Sequence, residues 1–178
     1  YYISPQIWAW KEGRIKDIKR DVNAMYVILP FEKPFYEDKH QFPVHFVGHP
    51  LIDEISNKQQ VAGATFRKEN GLDQRPIIAI LPGSRKQEIS KMLEVMLSIV
   101  EGFKDYQFVI AGAPSQDESF YQAFIKNQNV HLLLNKTYDL LSLSYAALVT
   151  SGTATLETAL FKVPQVVCYK GNQISYEI

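Results

Sequence analysis

The sequence predicts an α/β fold, and three observations carry that reading. Short apolar, β-rich runs alternate with amphipathic stretches along most of the chain, the pattern of βαβ units and a parallel sheet. In the longest of those stretches Ile89, Leu93, Met96, Leu97 and Val100 fall on one face at helical spacing, so it packs against a sheet. Two apolar runs enter their helices through small residues, "LPGSR" and "TSGTAT", as happens at the ligand-binding edge of such sheets. The expected architecture is therefore a Rossmann-like parallel sheet with helices on both faces.

The elements fall into two series. "AMYVIL" (Ala24 to Leu29) and "VHFVG" (Val44 to Gly48) read as strands around a short helical stretch near Lys33 to Asp38. "GHP" then punctuates the chain and polar "NKQQ" follows, which sets a boundary between Gly48 and Lys58 and divides the chain nominally into residues 1–50 and 51–178. The second series offers "PIIAIL", "YQFVIAG", "VHLLLN", "YAALVT" and "PQVVCYK" as strands. Helices are expected between them at Gln87 to Phe103, Ser119 to Lys126, Tyr138 to Leu143 and Ala154 to Phe161. Right-handed crossovers then gather the strand-to-helix turns at the carboxyl edge of the sheet. The first series is too short for a complete doubly wound domain. The chain also opens on "YYISPQ" and stops just after a strand-like run, so the expectation is a stretch of a longer protein whose upstream half is missing.

Composition narrows the function classes. At 46% hydrophobic and 21% charged residues the chain can bury a core, and 178 residues suffice for one large or two small domains. A formal net charge of zero supplies no whole-molecule field toward nucleic acid. The single cysteine, Cys168 in "PQVVCY", rules out an internal disulfide and a cysteine-cluster zinc site, and reads as a buried strand residue. No apolar run approaches the length of a membrane span. One segment is locally basic: "KEGRIKDIKR" (Lys11 to Arg20) follows Ile7, Trp8 and Trp10. A helix with core aromatics and a solvated basic face is the favoured account, and a surface resting on a membrane is the other.

The chemistry concentrates in the two small-residue turns. In "IIAILPGSRKQEI" (Ile77 to Ile89) Pro82 stops the strand and Gly83 lets the backbone turn closely. Ser84 has a local explanation as helix cap, with Gln87 three residues on completing a capping box. Arg85 does not. In the first helical turn a cation is disfavoured by roughly 0.3–1 kcal/mol, and a bound phosphate would reverse that sign. In "VTSGTATLETAL" (Val149 to Leu160) Glu157 misses the capping-box spacing, because the residue three before it is Ala154. It can favour the helix dipole from the first turn, or accept hydrogen bonds from a ligand diol while Ser151, Gly152 and Thr153 face an anion. Spacing alone leaves those readings level. Both turns on one sheet edge combine phosphate donors with a diol acceptor, the profile of a nucleoside-diphosphate site. The chain has neither a Walker loop nor the dinucleotide Gly-x-Gly-x-x-Gly fingerprint, so NAD is not expected. His40, His45 and His131 read as structural or surface residues. His49, at the domain junction, is the histidine to watch, and no metal is expected.

Five motifs occur in order: "SPQIWAW" (Ser4 to Trp10), "LPFEKPFY" (Leu29 to Tyr36), "FVGHPL" (Phe46 to Leu51), "LPGSR" (Leu81 to Arg85) and "SGTATLETAL" (Ser151 to Leu160). Together they resemble the lipid-A-disaccharide synthase family, bacterial glycosyltransferases of the GT-B fold, over nearly the whole chain and roughly the middle half of a member. The resemblance implies an inverting transfer of 2,3-diacylglucosamine from UDP-2,3-diacylglucosamine to the 6-hydroxyl of 2,3-diacylglucosamine 1-phosphate (lipid X). The products are a β-1,6 disaccharide and UDP, and neither metal nor cofactor is needed. It implies that Gly83, Ser84, Arg85, Ser151, Gly152 and Thr153 bind the nucleotide and its phosphates, and that Glu157 takes the ribose. Residues 1–50 would end the acceptor-side domain and 51–178 would form most of the UDP-sugar domain. Trp8, Trp10, Lys11 and Arg14 would face the membrane or the acceptor. The implied setting is the cytoplasmic face of a Gram-negative inner membrane, with a peripheral protein and room for a homodimer. No general base is assigned, since the family's is expected upstream, and this stretch alone is expected to be inactive. The alternatives are another GT-B UDP-sugar enzyme, such as an epimerase or peptidoglycan glycosyltransferase, and a nucleotide-binding domain without catalysis.

Overall fold

A computed structural model describes residues 1–58, 61–126 and 129–170. The chain forms two compact units that part between Asn57 and Lys58.

In the first unit, a 3₁₀ turn at Glu12–Arg14 leads into helix α1 (Ile15–Asp21). Strands β1 (Tyr26–Val27) and β2 (His45–Phe46) pair in parallel, Tyr26 opposite His45. Between them α2 (Glu32–Pro34) runs into a π-helical turn at Phe35–Lys39. Ile7, Ile15, Ile18, Met25, Val27, Tyr36, Phe42 and Val44 form the core. The strands are much shorter than "AMYVIL" and "VHFVG" suggest, and Glu32 gives the reason. Its carboxylate accepts the amides of Ile28 at 3.0 Å and Leu29 at 2.8 Å, which turns them away from ladder pairing. The same carboxylate accepts the Ser4 hydroxyl at 2.6 Å and the Trp8 indole at 3.2 Å. Two distant motifs are thus tied together at one buried anion. Helix α3 (Pro50–Ser56), in a stretch read only as punctuation, belongs to this unit, so the units part seven residues beyond Pro50. His49 caps α3, its Nδ1 accepting the Leu51 amide at 3.2 Å, which is a local structural role.

The second unit opens with α4 (Gly63–Glu69), also unforeseen because only Phe66 in it is fully buried. Its sheet comprises β3 (Ile77–Leu81), β4 (Gln107–Gly112), β5 (Val130–Leu134), β6 (Ala146–Thr150) and β7 (Gln165–Cys168). These described strands are all parallel, in the order β5-β4-β3-β6-β7. Inner strands buried on both faces need apolar residues throughout, which is why β3 reads "IIAIL" rather than alternating. Ile77, Ala79 and Leu81 join Val109, Ala147 and Val149 in one core, with Phe66 of α4 and Leu140 and Leu141 of α7 (Thr137–Ser142). Ile80, Phe108 and Ile110 form the other core with Ile89, Met92, Leu93 and Met96 of α5 (Lys86–Leu97) and Tyr121 of α6 (Glu118–Ile125). Each such side chain, fully buried, contributes roughly 1.5–3 kcal/mol. The sheet is therefore covered on both faces, as expected.

Helix α5 stops at Leu97, short of Phe103. The Ser98 hydroxyl donates to the Val95 carbonyl at 2.7 Å, and a separate 3₁₀ turn at Val100–Gly102 follows. Cys168 ends β7 only half-buried, and desolvation still pushes its thiol pKa up. The topology also locates the site. From β3 the chain builds outward through β4 to β5, then returns to place β6 on the other side of β3. The order reverses between β3 and β6, and a crevice opens beyond their carboxyl ends.

Candidate functional site

A cleft of about 560 Å³ lies at that reversal, lined by the turns that follow β3, β4 and β6. All seven residues singled out in the two turns border it: Gly83, Ser84, Arg85, Ser151, Gly152, Thr153 and Glu157.

At the β3 turn Gly83 has φ 104°, a left-handed conformation that side chains resist. A Cβ there would come within 2.8 Å of Glu88 Oε2. The cap differs from the expected Ser84–Gln87 box. Arg85 is the N-cap of α5, in extended conformation at φ −92° and ψ 137°. Its N–H donates to the Glu88 carboxylate at 3.4 Å. Only that half of a box forms, because a guanidinium has no acceptor to return the bond. The cap thus lies one residue beyond Ser84, whose backbone is engaged with another turn. The Ser84 carbonyl accepts the Ser115 hydroxyl at 3.1 Å, which joins the β3 turn to the β4 turn. The β4 turn is pinned in its own right, the Ala113 amide donating to the Tyr121 hydroxyl at 2.8 Å. Arg85 is exposed, with its guanidinium at the cleft.

At the β6 turn Gly152 caps α8 (Thr153–Leu160) with φ 154° and ψ −160°, a region open in practice to glycine alone. No side chain caps this helix. The Thr155 amide turns back onto the Gly152 carbonyl at 3.1 Å, which leaves the amides of Thr153 and Ala154, both cleft-lining residues, as the open donors of the helix start. That disposes of helix capping as the purpose of Ser151 and Thr153, whose side chains are exposed. Thr150, only 9% exposed, also lines the cleft, and its hydroxyl oxygen has no partner among the described residues. Glu157 sits in the second turn of α8, not the first. The dipole account of this acid therefore falls away. Its Oε1 instead accepts the Tyr138 hydroxyl at 2.8 Å.

Chemically, the cleft offers one exposed guanidinium, uncapped amides at a helix start, small hydroxyls and two carboxylates. The first three suit a phosphate. Glu88 is engaged with the Arg85 amide, which leaves Glu157 as the acceptor facing outward from α8. Among the described residues no cluster of histidine, cysteine or carboxylate could hold a metal ion.

The sequence model of the family described as "Lipid-A-disaccharide synthetase" matches residues 1–178. The chain belongs to the lipid-A-disaccharide synthase family. A lipid-A-disaccharide synthase from Syntrophus aciditrophicus is 41% identical, the match covering 100% of this chain and 48% of that protein. One from Idiomarina loihiensis is 39% identical with the same coverages. One from Francisella philomiragia is 36% identical over 98% of this chain and 48% of its own length. The chain thus spans about half the length of the curated relatives it matches. A solved structure from Listeria monocytogenes, described as that of a UDP-N-acetylglucosamine 2-epimerase, superposes with a TM-score of 0.58 at 16% identity. It covers 86% of this chain and 44% of that one, a likeness of fold alone.

Within this family member the tryptophan segment divides. Trp8 is half-buried, bonded to Glu32 and set edge-on to Phe31 at 4.9 Å, so it is scaffold. Trp10 is 63% exposed with the Lys11 ammonium 4.3 Å over its ring, and Lys11 and Arg14 are exposed too. No helix among the described residues is long and apolar enough to cross a membrane. Sequence reading missed Glu88, Thr137, Thr150 and Tyr138. Thr137 and Tyr138 open the helix after β5, a fourth strand-to-helix turn at the cleft, which carries no glycine to draw attention to it.

Proposed function

We propose that the cleft binds the uridine diphosphate of a UDP-sugar, and that the chain is the donor-binding part of a lipid-A-disaccharide synthase. The observation that carries this is the convergence of Arg85 and the glycine-capped start of α8 at the β3–β6 reversal. In this reading the guanidinium and the α8 amides hold the diphosphate, and Glu157 accepts the ribose hydroxyls. The reaction breaks the bond between the sugar's anomeric carbon and the β-phosphate oxygen, and the electron pair leaves with UDP. Arg85 and the amides stabilise the charge that gathers on that oxygen, the usual work of preorganised donors. The acceptor hydroxyl of lipid X bonds to the opposite face of the carbon, which inverts it and yields the β-1,6 disaccharide. The proton of that hydroxyl goes to a base outside this chain.

The family membership supports the substrate pair, UDP-2,3-diacylglucosamine and lipid X. The first unit is proposed to belong to the acceptor-side domain, and exposed Trp10 and Lys11 to touch the membrane that supplies both lipids. Calorimetric titration of UDP into the chain tests the site. Arg85→Ala should weaken binding about tenfold or more, the loss of a charge-assisted contact. Equal affinity in parent and variant would remove Arg85 from the site, and no binding by the parent would remove the nucleotide reading.

A further inference from the structure

We propose that Tyr138 is a positioning residue for Glu157, holding the carboxylate so that the cleft favours a ribose diol over a sugar lacking it. This rests on the nucleotide reading above. Two contacts fix the ring of Tyr138 before it meets the glutamate, and a third residue secures one of them. Phe161 lies against it at 5.5 Å between centroids. The Lys58 ammonium stands 5.2 Å above it. Lys58 is in turn held by Asp139, the next residue of α7, at 2.9 Å. From this clamped ring the hydroxyl donates to Glu157 Oε1 at 2.8 Å. The bond spans from α7 to α8, and Thr137, beside Tyr138, lines the same cleft as Glu157.

A carboxylate has about four acceptor positions over its two oxygens, and a phenol fills one. What remains suffices for the two hydroxyls of a ribose. A glutamate on a helix surface otherwise turns about three side-chain bonds, and a ligand that needs it in one orientation bears the entropy of stopping that motion. Tyr138 stops it beforehand. The expected consequence is selectivity, because the ordering helps only a ligand that bonds to the carboxylate.

The experiment compares UDP with 2′,3′-dideoxy-UDP by calorimetry on the parent chain, Tyr138→Phe and Glu157→Gln. Phenylalanine keeps the ring, its contact with Phe161 and the face beneath Lys58. Circular dichroism and thermal melting establish that each variant is folded. The parent should prefer UDP by about tenfold or more, and Glu157→Gln should abolish most of that preference. Tyr138→Phe should weaken UDP by about five- to tenfold, as for ordering one free glutamate side chain on binding, while dideoxy-UDP stays within twofold. Equal weakening of both ligands would make Tyr138 a structural link and overturn the proposal. So would tighter UDP binding, which would mean the phenol competes for the glutamate. An unchanged preference in Tyr138→Phe beside a lost one in Glu157→Gln would sink the tyrosine's role alone. A parent that fails to distinguish the two ligands would sink the ribose reading and this proposal with it.

Discussion

Glu32 is 1% exposed and receives four hydrogen bonds, from the Ser4 hydroxyl, the Trp8 indole and the amides of Ile28 and Leu29. Glu157 is half-buried at the edge of a cleft, and among the described residues its carboxylate receives one, from Tyr138. Both glutamates lie in motifs by which the family is recognised, "LPFEKPFY" and "SGTATLETAL". A buried charge has to be satisfied by the fold itself, and Glu32 has all its acceptor capacity so engaged. Glu157 keeps most of its capacity in hand. Motif membership therefore does not separate scaffold from site; the count of partners does.

Replacing each carboxylate puts that distinction at risk. The largest effect belongs to Glu32→Ala, which leaves one buried and three partly buried donors without their acceptor and should cost about 3–4 kcal/mol. Urea unfolding should show it. A loss below about 1 kcal/mol would mean that water enters and substitutes, and the comparison would fail at its stronger end. Gly83→Ala comes next, at about 1–3 kcal/mol, since it strains a left-handed backbone and drives a Cβ onto the Glu88 carboxylate. Glu157→Gln should leave the unfolding free energy within about 0.5 kcal/mol of the parent, as expected of a partly exposed residue outside the core. A large destabilisation there would make Glu157 a second Glu32.

The smallest effect is at Asp73, an exposed carboxylate whose pKa is lowered chiefly by its hydrogen bond with the Arg75 side chain, at 2.7 Å in the ion pair. A lowered folded pKa contributes stability that is present above about pH 4 and lost as pH falls through the folded value. Asp73→Asn should therefore lower the urea midpoint slightly at pH 7 and by progressively less as the pH falls below about 4. An equal shift across that range would assign the effect to packing instead of charge.

The second unit was legible because its strands are buried on both faces. "IIAIL" and "QFVIAG" can hardly be anything else, and the face of α5 repeats at helical spacing. The first unit was less so. "AMYVIL" carries strand propensity over six residues, but the amides of Ile28 and Leu29 answer to a glutamate that propensity does not weigh. In the site, Gly83 and Gly152 could be found because a required backbone conformation leaves a residue type behind. The capping register at Arg85 could not, since Ser84 and Gln87 carry the spacing of a box and the helix nonetheless begins one residue later. Tyr138 was invisible because its partner is nineteen residues away, and nothing in "NKTYDLL" marks a phenol that reaches across to another helix.

The placing of β6 beside β3 has a kinetic consequence. Ile78 pairs with Ala146 and Leu81 with Val149, while β4 and β5 are built in the interval between them. Pairing of strands so remote in the chain comes at a high loop-closure cost, and such topologies fold slowly. A partly folded chain in which β3, β4 and β5 have assembled would already carry the Arg85 turn, but not the Gly152 turn beside it. The cleft cannot exist until the returning strand docks. If the cleft binds nucleotide as proposed, nucleotide added during refolding would select only chains that have completed this step, and would report the moment of completion without any engineered probe.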